Sequence, residues 1–329
     1  MTRTPQDSWR PTATRAMLER RASLLARARL FFADRGVLEV DTPVVVNAAV
    51  SDVHIHSARV QFREHPDAPY YLHTSPEYAM KRLLAAGSGD IYQICHVVRG
   101  LERGRQHNAE FTLVEWYRTG FSLDGLMNDV DALVRHLLSD AGKSLSSERL
   151  TYRDAFLREL QLDPFAASVS ELANAAHTIG FASPGPGRDP GRDEFLELLM
   201  GALIGPRLGR NALTFVHGYP ASQAALARLD PQDPRAALRF ELYCNGIELA
   251  NGFHELASAP QQRARFESDN RERKCRGLPP VRLDERLLAA LEAGLPECAG
   301  VALGFDRTLM LAAGAGHIDE VMTFPTERA

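Results

Sequence analysis

The fold is decided by the stretch VRGLERGRQHNAEFTLVEWYR, residues 98–118. An apolar, β-prone run from Ile91 to Val98 enters it, and an alternating run from Phe111 to Tyr117 leaves it. Between the two runs lies a loop rich in guanidinium, imidazole and amide groups. Two strands joined by such a loop can hold a polyphosphate over a sheet, and the side chains of the second run can then contact a base and an amine. The stretch therefore predicts nucleotide-driven activation of an amino compound.

The composition is that of an ordinary globular protein and excludes several classes. The chain of 329 residues can bury a large core, and its net charge of −4 argues against an extensive nucleic-acid surface, so we expect no stable tRNA binding. No apolar run reaches about 18 residues, and Met1–Arg15 lacks the apolar core of a signal peptide. We therefore expect a cytoplasmic protein without membrane contact. The four cysteines lack CxxC spacing, which disfavours a zinc site or a disulfide framework.

Helical and alternating patterns together predict an α+β fold. Asn245-Gly246, between two alternating runs, predicts a type I′ hairpin turn. Ser75 and Pro76 predict the N-cap and first position of a helix that ends at Gly87. Because long hairpins mix with helices, the pattern favours an antiparallel sheet over a parallel one. Further helices and strands are predicted at 15–34, 37–40, 123–138, 152–160, 194–203, 213–216, 300–304 and 306–313, with a strand region around 44–60.

The whole chain is expected to form one catalytic domain, residues 1–329. A polar N-terminal extension at 1–14 precedes it, and a Pro/Gly-rich loop lies at about 181–193. No GxxxxGK[ST] motif occurs, so the phosphate site is not a P-loop.

Two arginines at the ends of predicted elements are candidates for binding a polyphosphate. Arg99 ends an apolar strand, where a guanidinium can stabilise the charge that develops at an α-phosphate under attack. Arg307 begins a helix, and the N-terminus of a helix favours phosphate. Taken alone, Arg99 can equally be a surface residue at a strand end, and Arg307 can form a helix-capping pair with Asp306.

Two glutamates of the second predicted hairpin are candidate magnesium ligands. Glu248 follows the Asn-Gly turn, and Glu255 lies beyond Asn251-Gly252, where the chain can fold back over the sheet. Two carboxylates that converge on one face suit magnesium, which prefers hard oxygen ligands and bridges phosphates. The alternative for a single hairpin glutamate is a solubilising surface role.

An amine pocket is predicted at Glu77, Glu115 and Tyr117. Glu115 and Tyr117 share one face of their strand, so an ammonium group can lie between a carboxylate and an aromatic ring. The alternative for Glu77 is a structural ion pair with Lys81 or Arg82.

These residues coincide with three sequence signatures of the class II aminoacyl-tRNA synthetases, at Gly36–Pro43, Arg99–Arg118 and Gly300–Arg307. Within that class the chain resembles the catalytic domain of lysyl-tRNA synthetase, because of Ser75-Pro76-Glu77 and the run from Asn245 to Glu255. The resemblance extends from about Arg15 to Thr323 and implies an antiparallel sheet flanked by helices. It also implies a homodimer with the segment around Pro43 in the interface.

The first signature begins within about 35 residues of the start, which leaves no room for an anticodon-binding domain of ordinary size. The chain therefore resembles the freestanding lysyl-synthetase-like ligases that act on elongation factor P. That resemblance implies ATP-dependent formation of an (R)-β-lysyl adenylate, with Mg²⁺, and transfer of the β-lysyl group to a lysine side chain of elongation factor P. Two alternatives stay open: a tRNA or small-amine acceptor, or a non-catalytic regulator.

The resemblance assigns roles to individual positions. Arg99 and Arg307 would be catalytic, with Arg99 on the α-phosphate and Arg307 on adenine and the terminal phosphate. Glu248 and Glu255 would bind magnesium. The amino-acid pocket would comprise Ser75, Pro76, Glu77, Glu115, Tyr117, Glu255 and Ala302. The ATP site would comprise Arg99, Gly100, Leu101, Glu102, Asn108, Phe111, Glu248, Leu249, Gly304 and Arg307.

Two positions depart from the pattern of the family. The second signature ordinarily reads Arg-x-Glu, but here Leu101 follows Gly100 and the glutamate, Glu102, comes one place late. Either Glu102 takes over adenine recognition or adenine binding is weaker. Lysyl-tRNA synthetases ordinarily have glycine where this chain has Ala302, and a methyl group there would discriminate between lysine isomers by about 1–3 kcal/mol.

Overall fold

The structure is a computed structural model that describes residues 9–63, 65–100, 102–139, 145–181 and 190–329. Leu101, most of the predicted N-terminal extension and most of the predicted Pro/Gly-rich loop lie outside the described residues. In the part of the chain that is described, no helix is long and apolar enough to cross a membrane.

An eight-stranded sheet organises the fold. In spatial order its strands are β1 (Leu38–Glu39), β5 (Ile91–Val98), β6 (Glu110–Thr119), β11 (Cys298–Gly304), β10 (Ile247–His254), β9 (Ala236–Cys244), β8 (Ala212–Pro220) and β7 (Ser146–Thr151). The central strands pair antiparallel, which confirms the predicted α+β class. The outer pairs β1–β5 and β7–β8 run parallel, so the sheet is mixed and not purely antiparallel. The strands of each parallel pair are joined by a long connection, which contains α2 (Glu77–Ala85) between β1 and β5 and contains α4 (Tyr152–Leu160), α5 (Val169–His177) and α6 (Arg192–Leu199) between β7 and β8.

A second, three-stranded sheet lies early in the chain, and the strand region predicted around 44–60 covers only its first strand and the start of the next. It comprises β2 (Val45–Val46), β4 (His65–Leu72) and β3 (Arg59–Phe62), in that spatial order. Both of its strand pairs are antiparallel.

The helices agree with the predicted ones where apolar periodicity was strong. Within the described ranges they are α1 (Arg15–Ala33), α2 (Glu77–Ala85), α3 (Leu123–Leu138), α4 (Tyr152–Leu160), α5 (Val169–His177), α6 (Arg192–Leu199), α7 (Ala259–Cys275), α8 (Glu285–Gly294) and α9 (Phe305–Ala313). Helices α5, α7 and α8 were not predicted. Helix α2 begins one residue later than predicted, with Pro76 at the N-cap position, although the Ser75 hydroxyl still accepts the Glu77 N–H at 3.0 Å.

The two faces of the large sheet differ in chemistry. One face packs against α1, α3 and α9 through fully buried apolar side chains such as Phe32, Trp116 and Leu309. Because side chains alternate along a strand, the neighbours of Trp116 in β6, Glu115 and Tyr117, point to the opposite face. The apolar layer therefore leaves the other face of β6, β10 and β11 available for a polar site.

The β9–β10 hairpin has the predicted type I′ character, since Asn245 and Gly246 both have positive φ, +51° and +73°. A β-bulge lies between Glu248 and Ala250, where the register with β9 shifts by one residue. Without this extra residue, Glu248 and Glu255 would point to opposite faces, because seven positions separate them. The bulge restores both to the polar face.

Candidate active site

The polar face of the sheet forms the floor of a cavity of about 1080 Å³, which α2, α6 and α7 help to enclose. Most of the residues that the sequence predicted as functional line it: Ser75, Pro76, Glu77, Arg99, Glu102, Asn108, Phe111, Glu115, Tyr117, Glu248, Leu249, Glu255, Ala302, Gly304 and Arg307. We distinguish an arginine end, formed by Arg99, His107, Phe111, Glu248 and Arg307, from a carboxylate end, formed by Ser75, Glu77, Lys81, Glu115, Tyr117 and Glu255.

Arg307 lies in the first turn of α9 and reaches over the arginine end. Its Nη1 donates to the carbonyl of Glu248 at 2.9 Å. The adjacent Asp306 is bound elsewhere: it pairs with Arg21 at 2.5 Å and accepts the Thr112 N–H at 2.6 Å. Because Asp306 does not pair with Arg307, the helix-capping pair considered from the sequence does not form, and the guanidinium of Arg307 faces the cavity.

Arg99 and Phe111 form the opposite wall of the arginine end. The guanidinium carbon of Arg99 lies 5.2 Å from the centre of the Phe111 ring, within cation–π range. The Nε of Arg99 donates to the Thr74 carbonyl at 3.3 Å, which fixes the direction of the side chain. A guanidinium beside an aromatic face can contact the phosphate and the base of a nucleotide.

His107 belongs to this end, although no role was predicted for it from the sequence. Its Nε2 lies 2.6 Å from Nη2 of Arg307. Desolvation of the ring and the guanidinium groups of Arg307 and Arg99 lower the pKa of His107 to about 4. The ring is therefore neutral at pH 7 and accepts a hydrogen bond from Arg307. The only signal in the sequence was its position inside the cationic loop.

The predicted magnesium pair Glu248 and Glu255 is wrong as a pair. Strand β10 continues through Asn251-Gly252 to His254, so the chain does not fold back there. At about 3.3 Å per residue, seven residues of strand separate the two backbones by about 20 Å. The carboxylates share one face, but they lie at opposite ends of the strand and cannot bind one ion together.

The carboxylate beside Glu248 is Glu241, on β9. Desolvation and the charge of Glu241 raise the pKa of Glu248, while the Arg307 guanidinium, 3.8 Å away, opposes that rise. Glu241 accepts hydrogen bonds of 2.6 Å from the hydroxyls of Tyr219 and Tyr243. No set of three or more His, Cys, Asp or Glu side chains within the described ranges is arranged to hold a metal ion unaided. An ion at Glu248 would therefore need oxygen ligands from a bound phosphate.

At the carboxylate end, Glu115 is held by two hydroxyl groups. Ser75 Oγ donates to one carboxylate oxygen at 2.7 Å, and Tyr117 donates to the other at 2.9 Å. Burial and repulsion from Glu77 raise the pKa of Glu115 to about 8, against the lowering effect of the two hydroxyls. The structure therefore brings Ser75, Glu115 and Tyr117 into contact, and their binding of an amine stays a prediction.

Glu77 and Glu255 share a single buried ammonium group. Lys81 Nζ lies 2.6 Å from Glu77 Oε1 and 2.6 Å from Glu255 Oε2, and the lysine side chain is 1% exposed. The ion pair that the sequence offered as an alternative role for Glu77 therefore forms, and it forms inside the predicted pocket. Burial raises the pKa of Glu255 to about 7, although Lys81 opposes the rise.

Two small residues of β11 make room for this end. A Cβ atom on Gly300 would lie 2.2 Å from the Tyr117 ring and 2.5 Å from Glu255 Oε1, so only glycine is tolerated there. Ala302 pairs with Glu115 across the β6–β11 register, which places its methyl group beside that carboxylate. Ala302 was predicted to line the amino-acid pocket, whereas Gly300 was recognisable only as the start of the third signature.

The remaining predicted ATP residues have different environments. Leu249 is the extra residue of the bulge, and Gly304 ends β11 beside it. Gly100 donates its N–H to the carbonyl of His56 at 2.7 Å, so this backbone group is already satisfied. Glu102 lines the cavity, whereas Leu101, its neighbour, lies outside the described residues.

Asn108 anchors the cationic loop to the C-terminal segment. Its Nδ2 donates to the Glu110 carbonyl at 2.7 Å, and its Oδ1 accepts the N–H and the hydroxyl of Thr326, both at 3.1 Å. A second tether joins Arg103 to Asp319 at 2.8 Å and to Glu327 at 2.5 Å. The Asn108 amide, predicted to contact ATP, is thus engaged in holding the loop in place.

Comparison with known proteins identifies a family and relatives of this chain. The profile of the family described as tRNA synthetases class II (D, K and N) matches residues 6–328. A protein of Vibrio cholerae serotype O1 named elongation factor P–(R)-β-lysine ligase is 49% identical over 324 residues, 98% of each chain. Proteins with the same name from Pectobacterium carotovorum subsp. carotovorum and Klebsiella pneumoniae subsp. pneumoniae are 48% and 46% identical over 325 residues, again with 98% of each chain covered.

Proposed function

Because the chain belongs to the class II tRNA synthetases of the D, K and N group, we propose that it is an ATP-dependent ligase that activates (R)-β-lysine and transfers it to a lysine side chain of elongation factor P. The observation that carries this proposal is one cavity with guanidinium groups at one end and three carboxylates at the other. Such a cavity can hold a nucleoside triphosphate and a diamino acid, with the α-phosphate of the one and the carboxylate of the other meeting between the two ends.

In the activation step, a carboxylate oxygen of β-lysine attacks the α-phosphorus of ATP. The P–O bond to pyrophosphate breaks, and a β-lysyl adenylate remains. Arg99 stabilises the charge at the α-phosphate, and Arg307 binds the terminal phosphate while its position is maintained by His107 and the Glu248 carbonyl. No protein nucleophile is needed, so catalysis relies on orientation and charge neutralisation.

Magnesium fits the donor set at Glu248, with Glu241 as the neighbouring carboxylate. Glu248 is half-buried and lies at the arginine end, where a phosphate chain would supply further oxygen ligands. When bound, the ion would neutralise phosphate charge. Glu255 is excluded from this role because Lys81 binds it at the other end of the strand.

In the transfer step, the neutral ε-amine of the acceptor lysine attacks the carbonyl carbon of the adenylate. An amide bond forms, AMP leaves with the bonding electron pair, and the surplus proton of the amine passes to water. The choice of elongation factor P as acceptor rests on the printed names of relatives that align over nearly their full length.

The amino-acid specificity is assigned to the carboxylate end. Glu77, Glu115 and Glu255 are positioned to bind ammonium groups, and the Ala302 methyl narrows the space beside Glu115. Glu102 lines the cavity near Arg99 and is retained as the residue that contacts adenine in place of the displaced family glutamate.

Homodimer formation is part of the proposal. Leu38, Val44 and Val45, in and beside the first signature, are 57%, 45% and 36% exposed. These exposed apolar side chains are available to a partner at a protein–protein interface. Sedimentation equilibrium of the wild-type protein and of a Leu38→Asp variant tests it: a dimer is expected for the former and a weakened dimer for the latter.

The decisive experiment is ATP–pyrophosphate exchange with (R)-β-lysine and with α-lysine, followed by transfer of labelled β-lysine to purified elongation factor P or to lysine tRNA. Exchange that prefers β-lysine, with label on elongation factor P, is expected. No exchange with either amino acid would refute the ligase activity. Exchange followed by labelling of tRNA alone would refute the acceptor.

A further inference from the structure

A lysine without an assigned role lies beneath the carboxylate end. Lys81 extends from α2 and is 1% exposed, and its ammonium group contacts Glu77 and Glu255 at 2.6 Å each. Glu77 is one turn away on the same helix, whereas Glu255 follows β10. A buried cation held between two elements at this distance fixes the positions of both carboxylates.

The buried charges at this end do not balance. Three carboxylates, those of Glu77, Glu115 and Glu255, face one ammonium group, that of Lys81. Burial raises the pKa values of the Tyr117 hydroxyl and the Cys298 thiol, so both groups stay neutral. The neighbouring α8 contributes Asp284, whose carboxylate accepts two backbone N–H groups at the start of that helix. Arg82 is exposed, so solvent screens its charge. With all three glutamates ionised, the carboxylate end therefore carries two uncompensated negative charges.

The substrate carries positive charges equal in number to these uncompensated negative charges. Once its carboxylate has become a mixed anhydride with phosphate, the aminoacyl part of β-lysine carries two ammonium groups and no anion. Two positive charges would then meet two uncompensated negative charges in a buried site. An amino acid with one ammonium group would leave one buried carboxylate uncompensated, and such a group takes up a proton instead of staying charged.

We propose that Lys81 is a positioning residue that sets the charge of the carboxylate end at minus two and thereby restricts the pocket to amino acids that carry two ammonium groups. This inference rests on the proposed function. Lys81 acts through Glu77 and Glu255 and does not contact the substrate itself.

The first test uses the wild-type protein and needs no variant. The probes are (R)-β-lysine and 3-aminohexanoate, which lacks the terminal amine, each titrated calorimetrically at pH 7 with a non-hydrolysable ATP analogue present. Repeating the titrations in two buffers of different ionisation enthalpy gives the number of protons exchanged. We expect β-lysine to release about one proton more than 3-aminohexanoate, because one more carboxylate must ionise. Equal proton counts for the two ligands would overturn the inference.

The second test compares Lys81→Met with Lys81→Arg. Loss of the ammonium group raises the pKa values of the carboxylates, so the fall of the KM for β-lysine with rising pH should move upward by about one pH unit or more in Lys81→Met. In Lys81→Arg the pH at which the KM for β-lysine is half-way through its fall should equal that of the wild type, since arginine restores the positive charge. This pH is called the midpoint below. A purely structural role would lower activity equally at every pH, and an unshifted midpoint in Lys81→Met would overturn the inference.

The experiments distinguish failure of the proposed ligase activity from failure of the proposed role of Lys81. If no amino acid supports ATP–pyrophosphate exchange, the ligase proposal fails, whatever the proton counts are. If exchange with β-lysine occurs but the proton counts are equal, only the role of Lys81 fails. If Lys81→Met does not fold, the wild-type titrations still decide the question.

Discussion

At the arginine end of the cavity, charged side chains are held by backbone carbonyls and still face open space, whereas at the carboxylate end the charged groups are buried and bind one another. Arg307 and Arg99 each donate to a carbonyl and retain an exposed cationic surface for a phosphate. Glu77 and Glu255 are bound to Lys81, and Glu115 is bound to two hydroxyls. The arginine end therefore gains most of its interactions from the nucleotide. The carboxylate end is already organised and is sensitive to small changes in space and charge.

The largest expected effect comes from the arginine end. In Arg307→Ala, the loss of a guanidinium that neutralises phosphate charge should lower the rate of ATP–pyrophosphate exchange by about 10²- to 10³-fold. The control is Arg105→Ala, in the same loop, because Arg105 binds the Gly316 carbonyl outside the cavity. Full exchange in Arg307→Ala, or an equal loss in Arg105→Ala, would contradict the assigned phosphate role.

A single methyl group should disrupt the carboxylate end. In Gly300→Ala, the added Cβ would overlap the Tyr117 ring and Glu255, and overpacking of this kind costs about 1–3 kcal/mol. The displaced Tyr117 ring and Glu255 carboxylate belong to the amino-acid pocket, so the KM for β-lysine should rise by about fivefold or more, the equivalent of about 1 kcal/mol of lost binding, while the KM for ATP stays within about twofold. Steady-state kinetics measure both constants.

The matched control is Gly201→Ala, since a Cβ there meets no atom within 4 Å. If Gly300→Ala raised both Michaelis constants equally, the two ends would not be independent.

The pH dependence should separate the two ends without mutation. Because the pKa values of Glu255 and Glu115 are raised to about 7 and about 8, both carboxyl groups are largely protonated at pH 6 and ionise as the pH rises. The KM for β-lysine should therefore fall by about tenfold between pH 6 and 8.5, whereas the KM for ATP should change little.

The same shift predicts the effect of pH on stability. The ordinary pKa of a glutamate is about 4.3, so between pH 5 and 8 these two carboxyl groups bind more protons in the folded protein than in the unfolded chain, and their contribution to stability falls as the pH rises. Bound β-lysine offsets this loss, so the increase in Tm that it causes should be larger at pH 8 than at pH 6. The raised pKa values would be contradicted if neither the KM for β-lysine nor the increase in Tm caused by bound β-lysine depended on pH.

The smallest expected effect concerns the methyl group of Ala302. In Ala302→Gly, the preference for (R)-β-lysine over α-lysine in the exchange assay should fall by about fivefold or more, since one pocket methyl discriminates by about 1–3 kcal/mol. The loss should appear in the ratio of the two kcat/KM values and not in the KM for ATP. An unchanged ratio would place the discrimination elsewhere at the carboxylate end.

Sequence patterns were sufficient where a local signal determines the structure. The strand Ile91–Val98, the helix Leu123–Leu138 and the Asn245-Gly246 turn were predicted correctly, because apolar periodicity and positive φ are local properties. Helix α7 was missed because only a few of its residues are buried, and most of its sequence is polar or charged. Its position depends on contacts with the rest of the cavity wall.

The two ends of the site also differ in how far local sequence signals revealed them. Arg99 was recognisable because it ends an apolar strand beside Gly100, and Arg307 because it lies at the start of a helix that follows a glycine-bounded strand. The pairing of Lys81 with Glu255 was not recognisable, since 174 positions separate them and only the packing of α2 against the sheet brings them together. The magnesium pair failed because Gly252 was interpreted as part of a turn, whereas it is an in-strand residue packed against the Phe240 ring.

The tethers from the cationic loop to residues 319–327 have a consequence for the order of events during synthesis. Asn108 and Arg103 hold the loop that carries the nucleotide-binding residues, and their partners, Thr326, Asp319 and Glu327, are translated more than 200 residues later. A nascent chain that has not yet reached Thr326 lacks these tethers, even if its large sheet has already formed. The loop therefore acquires its full set of contacts only after the last of these residues has left the ribosome, late in the synthesis of the chain.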